Sequence, residues 1–294
     1  MFQIAEADGM HIQLIEVPYD SGWRGIRMGA GPGYFVEHGV VEKLRAAGHV
    51  VELECIEAQR LFLAENYTAF ELNRQLATHV RAARERGAMP LVLAGNCNSA
   101  LGILGGCEAA QAGVIWFDAH GDFNTPETTT GGFLDGMGLA IATGRCWSPL
   151  ARSISGFTPV PDERVLLVGV RQLDDGEQEL LVRSRITLLK GERIRALGIS
   201  GSLEPALDGL RAHVQHVYLH IDLDVLDTSI GRANSYAEPG GLLIEEMKQA
   251  ITLIARRFDI AAVAFTSYDP SGDPAGHIFR AGIQIMEHVL TAVS

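Results

Sequence analysis

The sequence predicts an α/β fold: a three-layer αβα arrangement around a doubly wound, mostly parallel sheet of about eight strands. Two observations predict it. Short β-rich runs alternate along the chain with longer amphipathic stretches, which is the pattern of β-α-β units joined by right-handed crossovers. Several runs are apolar on both faces, as is typical of strands covered by helices on both sides. No repeat, low-complexity tract or flexible linker divides the chain, so we expect a single domain over residues 1–294.

The strands are predicted from short runs rich in β-branched and other apolar residues. Residues 114–117 read Val-Ile-Trp-Phe and residues 165–168 read Val-Leu-Leu-Val, without a polar residue to mark a solvent-facing side. In chain order the predicted strands are residues 11–17, 50–54, 90–93, 114–118, 164–170, 186–189, 217–222 and 260–265.

The helices are predicted between these strands, where apolar residues recur at spacings of three and four. The predicted helices cover residues 35–47, 67–86, 99–110, 176–184, 203–214, 244–257 and 276–293. In a fold of this kind, functional side chains lie on loops beyond the carboxyl ends of the strands. Polar residues that directly follow a strand are therefore the first candidates for a functional site.

The amino-acid composition argues against several classes of partner and of cellular location. The chain has 24 Lys and Arg against 36 Asp and Glu, a net charge of −12, which argues against nucleic acid or an anionic membrane as a partner. The four cysteines contain no C-x-x-C pair and are too sparse for a disulfide scaffold. The first residues lack the basic start and apolar run of a signal peptide, and the sequence contains no apolar run of membrane-spanning length. We therefore expect a cytoplasmic protein.

The end of the predicted strand 114–118 carries potential metal ligands. Asp118, His120 and Asp122 alternate along the chain, and alternate side chains of an extended segment point the same way. A second predicted strand ends with Asp222 and Asp224, again two residues apart.

A single Asp after a strand is usually a helix cap or a turn residue. Two such clusters at strand ends are better explained by a divalent cation, because carboxylates gathered in one cleft repel each other unless a cation compensates them. Mixed carboxylate and imidazole ligands suit Mn, Fe or Zn.

The motifs, in this order, resemble the ureohydrolase family, which contains arginases, agmatinases, guanidinobutyrases and formimidoylglutamases. Residues 29–32 (Gly-Ala-Gly-Pro) resemble the glycine-proline turn of the family. Residues 118–130 resemble the Asp-Ala-His-x-Asp element and the loop that follows it in arginases, and residues 220–224 resemble the Asp-x-Asp motif. The resemblance implies the three-layer fold of the arginases and deacetylases.

The resemblance also implies a cofactor and a reaction. The family binds two Mn ions bridged by a hydroxide, which attacks the carbon of a guanidine or amidine. By motif matching, Asp118 and Asp222 bridge the two ions, His120 and Asp224 complete one position, and Asp122 joins the other. Asp122 is therefore expected to be both a metal ligand and part of the catalytic machinery. Family members are commonly trimers or hexamers, so a homo-oligomer is expected.

The first metal-ligand motif departs from the family. Arginases carry Gly-Gly-(Asp/Glu)-His-Ser, whereas residues 95–99 here read Gly-Asn-Cys-Asn-Ser. Aligning Gly95 with the second glycine places Cys97 at the ligand position, and a shift by one residue places Asn98 there; we prefer Cys97. A thiolate is a softer ligand than imidazole and favours Zn or Fe over Mn. The alternative role for Cys97 is that of a small buried core residue.

The residues expected to contact the substrate also depart from the family. Asp135 takes the place of a His thought to shuttle protons in arginases; it serves either in proton transfer, given a raised pKa, or as the cap of a helix from Gly136. Gly131 and Phe133 replace the Ser and Asn that hold the amino-acid end of arginine. Asn124 is retained, and Asp174 is available for a substrate ammonium.

The carboxylate that clamps the guanidinium in the family is also replaced. Ser267 occupies its position, and Asp269 substitutes for it only if the backbone turns differently.

Three functions are consistent with these residues. The first is metal-dependent hydrolysis of a guanidine or amidine C–N bond, with a modified arginine such as N-hydroxyarginine as suitable a substrate as arginine. The second is a non-catalytic relative that keeps the fold for binding or assembly. The third is hydrolysis of another C–N bond, in a formimino or simple amide group. The first requires a small guanidino or amidino molecule as partner.

Overall fold

The computed structural model describes residues 9–60, 64–107 and 112–294. Within them, one sheet contains eight strands, and every pair of neighbours in it is parallel. The strands are β1 (His11–Val17), β2 (Val50–Cys55), β3 (Met89–Ala94), β4 (Ala112–Phe117), β5 (Val165–Val168), β6 (Thr187–Leu189), β7 (His216–Asp222) and β8 (Asp259–Thr266). Their order across the sheet is β2-β1-β3-β8-β7-β4-β5-β6. The predicted fold class is confirmed.

Helices cover both faces of the sheet. Side chains alternate between the two faces along each strand, and both faces are apolar, so each face needs a layer of helices to bury it. In β4, Ile115 and Phe117 belong to one hydrophobic core and Val114 and Trp116 to the other. The first core includes helices α1 (Gly31–Glu37), α2 (Val40–Ala46), α8 (Gly191–Arg211), α9 (Ile244–Ala255) and α10 (His277–Val293). The second includes α3 (Glu65–Glu85), α4 (Ala100–Gly106), α5 (Gly138–Ala142), α6 (Ser148–Ala151) and α7 (Asp175–Arg183).

Three helices differ from their predicted bounds by more than two residues. The predicted helix 35–47 is two helices, because Gly39 adopts a left-handed φ of 84° between them. The predicted helix 203–214 is the second part of α8, which is kinked at Gly198, where φ is 71°. The predicted helix 99–110 begins with a 3-10 turn and continues as α4 to Gly106; residues 108–110 lie outside the described residues.

An antiparallel pair that the sequence did not predict lies beside the first strand. Tyr19–Asp20 pairs with Trp23–Arg24, and this ribbon is followed by a 3-10 turn at Arg27–Ala30. A Cβ built on Gly95 would contact the Tyr19 carbonyl oxygen and lie 2.7 Å from the Gly29 Cα. Glycine at position 95 therefore allows the turn at residues 29–32 to pack against the segment that follows β3.

Four neighbouring strands end at one point on the edge of the sheet. β3, β8, β7 and β4 are adjacent in that order, and their carboxyl ends lead into residues 95–99, 267–269, 223–225 and 118–122. The polar residues singled out from the sequence therefore converge in the middle of the sheet, where an open α/β fold forms its binding crevice. In the described part of the chain, every helix is too short or too polar to cross a membrane.

Candidate active site

The first group of converging ligands contains Asp118, His120 and Asp224, one ligand atom of each lying within 4.8 Å of the other two. His120 Nδ1 is 3.3 Å from both Asp118 Oδ1 and Asp224 Oδ2. The other ring nitrogen, Nε2, is 3.0 Å from Gln172 Oε1. A donor hydrogen bond from Nε2 leaves the Nδ1 lone pair facing the carboxylates, which is the arrangement of a metal-binding histidine held by an outer partner.

Asp222 makes a different set of contacts. Its Oδ1 accepts a hydrogen bond from the Asp224 backbone N–H at 2.8 Å, and its Oδ2 accepts one from the Cys97 thiol at 3.0 Å. Among the described residues, the groups whose ligand atoms already converge do not include Asp222. It lies between the converged group and Cys97, where the motif match expects a bridging ligand.

Cys97, and not Asn98, faces this cluster. The thiol is buried and lies 3.1 Å from Thr266 Oγ1 and 3.2 Å from Ser267 Oγ, in addition to Asp222. The Asn98 side chain lines a separate small cavity on the α3 side. Burial, and then the charge of Asp222, raise the pKa of the Cys97 thiol well above its ordinary value, so the thiol keeps its proton unless a cation lies beside it.

Asp122 has no hydrogen-bond partner at one oxygen. The residue is buried, adopts a left-handed φ of 48°, and its Oδ2 lacks a partner within the described residues. Burial, together with the charges of Asp118, Asp135 and Asp222, raises its pKa well above the ordinary range. An unpartnered buried carboxylate oxygen beside other carboxylates is costly unless a cation occupies the space between them.

The electrostatics of the cluster fit divalent cations. Burial and mutual repulsion raise the pKa values of Asp118 and Asp222. Burial alone would also raise the pKa of Asp224, but the charge of His120 and several hydrogen bonds lower it below its ordinary value. Carboxylates and an imidazole are suitable donors for Mn, Fe or Zn, and the thiol favours Zn or Fe. The residues present therefore fit two divalent cations, the number that the family resemblance implies.

His220 belongs to the cluster, although the sequence reasoning gave it no role. It is fully buried in β7, and its ligand atom lies within 4.8 Å of those of Cys97 and Asp118. Burial lowers its pKa to about 3, so the imidazole is neutral at pH 7. A sequence signal was available: His220, Asp222 and Asp224 alternate along one extended segment in the same way as residues 118–122.

Asp135 lines the cavity above the cluster, and its two oxygens are held from behind. Oδ1 accepts a hydrogen bond from the Asn98 backbone N–H at 2.8 Å, and Oδ2 accepts one from Asn96 Nδ2 at 2.8 Å. Burial raises the pKa of Asp135 to about 7 despite these hydrogen bonds. The alternative interpretation of Asp135 as a helix cap is wrong: Leu134 occupies the N-cap position of the short turn, and Asp135 bonds to the segment after β3.

The cavity has a volume of about 270 Å³ and extends outward from the cluster. Its walls include every predicted substrate-contacting residue, namely Asn124, Gly131, Asp174 and Ser267. Asn124 Nδ2 donates a hydrogen bond to Asp174 Oδ2 at 3.0 Å, and Asp174 also caps α7 through a reciprocal pair of hydrogen bonds with Glu177.

Glu177 and Tyr236 are among the residues of the cavity wall that were not identified from the sequence. Glu177 is buried, its Oε1 accepts a hydrogen bond from the Phe123 backbone N–H at 2.7 Å, and burial raises its pKa to about 7. Tyr236 is partly exposed at the mouth of the cavity and stacks on Phe133 with ring centroids 5.8 Å apart. One side of the opening is therefore aromatic.

Within the described ranges, no carboxylate stands at the end of β8 in place of the one that the family resemblance implies there. Ser267 is buried, adopts a left-handed φ of 62°, and directs its hydroxyl to Cys97. Asp269 does not line the cavity; its Oδ1 accepts hydrogen bonds from the backbone and hydroxyl of Ser271 at 2.9 and 2.7 Å. The alternative in which Asp269 substitutes for the missing carboxylate is therefore wrong in this structure.

Comparisons with known proteins agree with the geometry. Residues 10–292 match the model of the arginase family. The chain is 32% identical over 290 residues to the arginase of Bacillus caldovelox, covering 94% of this chain and 96% of that protein. The solved structure of that arginase superposes with a TM-score of 0.86 over 96% of this chain and 98% of the other, at 31% identity.

Further relatives extend this likeness. An arginase from Bacillus cereus gives a TM-score of 0.87 at 29% identity, covering 96% of this chain and 98% of the other. An agmatine ureohydrolase of Thermoplasma volcanium, at 16% identity and a TM-score of 0.70 over 97% and 90% of the two chains, shares the fold. The family resemblance inferred from the motifs is confirmed, and the chain belongs to the arginase family.

Proposed function

We propose that this member of the arginase family hydrolyses a C–N bond of a small guanidino or amidino compound with the help of two divalent metal ions. The observation that carries the proposal is the group of buried carboxylates at the floor of a cavity, with His120 between Asp118 and Asp224. Hydrolysis of C–N bonds in linear amidines is the reaction class to which the family belongs. The cavity, at about 270 Å³, suits a small molecule.

The proposed metal ligands are Cys97, Asp118, His120, Asp122, Asp222 and Asp224. When bound, divalent ions polarise the substrate and supply a nucleophile at neutral pH. Mn is the expected metal, with Zn or Fe as alternatives because of Cys97. Overall, one water adds to the guanidine carbon and the bond from that carbon to the amine nitrogen breaks. The amine leaves with a proton, and the remaining product is urea, or hydroxyurea when the guanidine carries an N-hydroxyl group.

Asp135 is proposed to move the proton that the leaving amine requires. Its pKa of about 7 is matched to general acid–base work near neutral pH. The hydrogen bonds from Asn96 and from the Asn98 backbone fix the carboxyl group where it lines the cavity. These contacts distinguish Asp135 from a solvent-exposed turn residue.

The far end of the substrate is proposed to lie against Asn124, Gly131 and Asp174. Asp174 offers a carboxylate to a substrate ammonium, and Gly131 leaves the wall open where arginases carry a Ser. At the other end, Ser267 offers no charge to the guanidinium. The loss of a charge-assisted hydrogen bond costs about 1.5–3 kcal/mol, so arginine is disfavoured relative to a modified guanidine. N-Hydroxyarginine is the proposed substrate, because its hydroxyl group provides a further polar contact beside Ser267.

The assay that tests this proposal is product analysis with the metal-loaded protein on arginine, N-hydroxyarginine, agmatine and a formimino compound. Release of urea or hydroxyurea, abolished in Asp118→Asn, supports the proposal, and faster turnover of N-hydroxyarginine supports the substrate. Release of formamide or ammonia without urea favours another C–N hydrolase. A metal-loaded protein that is inert on all four favours a non-catalytic binding role. We also propose that the protein is cytoplasmic and forms a homo-oligomer, either a trimer or a hexamer. Light scattering measures the mass of the assembly and so tests the oligomeric state.

A further inference from the structure

An imidazole lies beside Cys97, from a strand two positions away in the sheet. His220 Nε2 is 3.3 Å from Thr266 Oγ1, and that hydroxyl is 3.1 Å from the Cys97 thiol. One ligand atom each of Cys97, Asp118 and His220 lies within 4.8 Å of the other two, and all three residues are buried. The family resemblance implies an imidazole ligand at position 97, where this chain has a cysteine. In this structure the imidazole of His220 lies beside that cysteine.

The spacing of these three atoms suits a single ion. Zinc binds sulfur at about 2.3 Å and nitrogen or carboxylate oxygen at about 2.0–2.2 Å in a tetrahedron, so the ligands of one ion lie about 3.3–3.8 Å from each other. The three ligand atoms here already lie within 4.8 Å of each other. Movements of less than about 1 Å, of the size that side chains make within a rotamer well, bring them to these separations.

The orientation of His220 is fixed by its other contacts. Its Nδ1 lies 2.7 Å from the Tyr218 hydroxyl oxygen, and its ring stacks on Trp116 with centroids 3.6 Å apart and planes 15° apart. The tautomer that donates from Nδ1 to Tyr218 leaves the Nε2 lone pair on the side of Cys97 and Asp118. A histidine that binds a metal through one nitrogen is typically held through the other in this way.

We propose that His220 Nε2 and Cys97 Sγ bind the same metal ion together with Asp118, and that this sulfur–nitrogen pair makes the position selective for Zn²⁺ over Mn²⁺. Thiolate and imidazole are the zinc ligands of many protein sites, whereas Mn²⁺ prefers oxygen-rich surroundings. The inference rests on the metal cluster of the proposed function. It does not depend on which bond is hydrolysed, because its readouts are metal binding and metal spectroscopy.

Zinc X-ray absorption of the wild-type protein loaded with two Zn²⁺ tests the ligand set without a substitution. The outer atoms of a bound imidazole ring scatter the photoelectron, and the strength of this signal gives the number of imidazoles bound per zinc ion. We expect one sulfur and two imidazoles, from His120 and His220, for each pair of zinc ions. A spectrum with one imidazole for two zinc ions, or without sulfur, overturns the proposal.

Substitutions give a second test. We expect His220→Phe, which keeps a ring against Trp116 but has no ligand atom, to weaken one Zn²⁺ site at least about 100-fold in chelator competition. That loss exceeds the roughly 10–100-fold cost of removing an outer-sphere partner. The matched control is His216→Gln, an exposed histidine at the start of the same strand, which should leave both affinities unchanged. Unaltered zinc binding in a folded His220→Phe protein overturns the proposal.

The double variant Cys97→His/His220→Ala returns the imidazole to the position that the family uses. We expect it to bind two ions again. The ratio of its Mn²⁺ affinity to its Zn²⁺ affinity should be at least about tenfold higher than in the wild type. Cobalt loading checks the sulfur: thiolate-to-cobalt charge-transfer absorption should be present in wild type and absent in the double variant. A metal preference that stays at the wild-type ratio contradicts the proposal.

Discussion

The thiol of Cys97 donates a hydrogen bond to Asp222 Oδ2 across 3.0 Å, joining two residues 125 positions apart in the sequence. The contact connects the segment after β3 to the end of β7, with β8 between them. Because the thiol bonds to the carboxylate at the point where a bridging metal ligand is expected, a bound cation has to displace the thiol proton. Cys97 and Asp222 are therefore expected to act on metal binding together.

We predict that Asp222→Asn lowers hydrolytic activity at least about 100-fold and reduces the number of bound ions. Asn is nearly isosteric with Asp but is a poor ligand for a hard cation. The measurement is turnover together with metal content by mass spectrometry. The control is Asp259→Asn, an exposed position on the neighbouring strand β8. Full hydrolytic activity in Asp222→Asn would show that Asp222 is not part of the catalytic metal centre.

Asp135→Asn is expected to lower kcat about 100- to 10,000-fold, the usual contribution of a general acid or base, with the metal content unchanged. The amide cannot donate the proton that the leaving amine needs at neutral pH. Steady-state kinetics and metal analysis of the same preparation check the prediction. If kcat survives while metal is lost, Asp135 acts through the fold of the segment after β3 and not on the substrate.

Asp174→Asn is expected to raise KM about 10- to 100-fold for substrates that carry an α-ammonium group, with kcat little changed. The magnitude follows from losing one charged hydrogen bond, about 1.5–3 kcal/mol, and Asn keeps the helix-capping function of Asp at this position. Kinetics on 5-guanidinopentanoate, which keeps the carboxylate of arginine but lacks the α-ammonium group, provide the comparison. An equal rise in KM for both substrates would show that Asp174 does not read the ammonium.

Glu177 is expected to make the metal-free protein less stable as pH rises. Its pKa is about 7 in the folded protein, where burial is the largest cause, against an ordinary value of 4.5. Between these values the folded state binds more protons than the unfolded state, so stability falls with increasing pH and the loss is complete above about pH 7. The total is on the order of 3 kcal/mol at about 1.4 kcal/mol per pKa unit.

Urea unfolding of the metal-free protein between pH 4.5 and pH 8 measures this slope. Glu177→Gln should flatten it, whatever its effect on the absolute stability. The exposed Glu179, on the same helix and 68% exposed at its side chain, provides the control Glu179→Gln with an unchanged slope. The prediction fails if the two variants lose stability with pH to the same extent.

Gly95→Ala is expected to destabilise the protein by about 1–3 kcal/mol, the usual range for overpacking. Its Cβ would contact the Tyr19 carbonyl oxygen and lie 2.7 Å from the Gly29 Cα, and backbone atoms have little room to move. The control is Gly33→Ala in α1, where a Cβ meets no atom within 4 Å. Equal stability of the two variants in urea would show that the segment after β3 adapts without cost.

Much of the fold follows from the sequence because its strands are apolar on both faces. Runs such as residues 114–117 have one stable environment, the centre of a covered sheet, and all eight predicted strands occur. The break at Gly39 and the kink at Gly198 were not predicted, since both depend on a left-handed glycine backbone within otherwise helical patterns. Helix boundaries that depend on one residue's φ angle are poorly encoded in periodicity.

The candidate site was predictable where its residues follow a strand in alternation. Asp118, His120 and Asp224 converge as the motifs imply. Glu177 was missed because the residues around it look like those of an ordinary helix start. His220 alternates with Asp222 and Asp224 in the sequence, but that alternation does not show that it lies beside Cys97. Only the pairing of β7 between β8 and β4 brings His220 beside Cys97, and that adjacency is a property of sheet order, which a single sequence does not state.

The number of metal ions that the wild-type protein retains per chain decides whether its carboxylate cluster is a binuclear metal centre. The protein is loaded with Mn²⁺ or Zn²⁺, excess metal is removed, and the ions are counted by mass spectrometry. We predict two ions per chain, at most one in Asp118→Ala, and tighter retention of Zn²⁺ than of Mn²⁺ at one of the two positions. One ion or none in the wild type, with either metal, would contradict a binuclear hydrolase and leave the buried carboxylates without their proposed role.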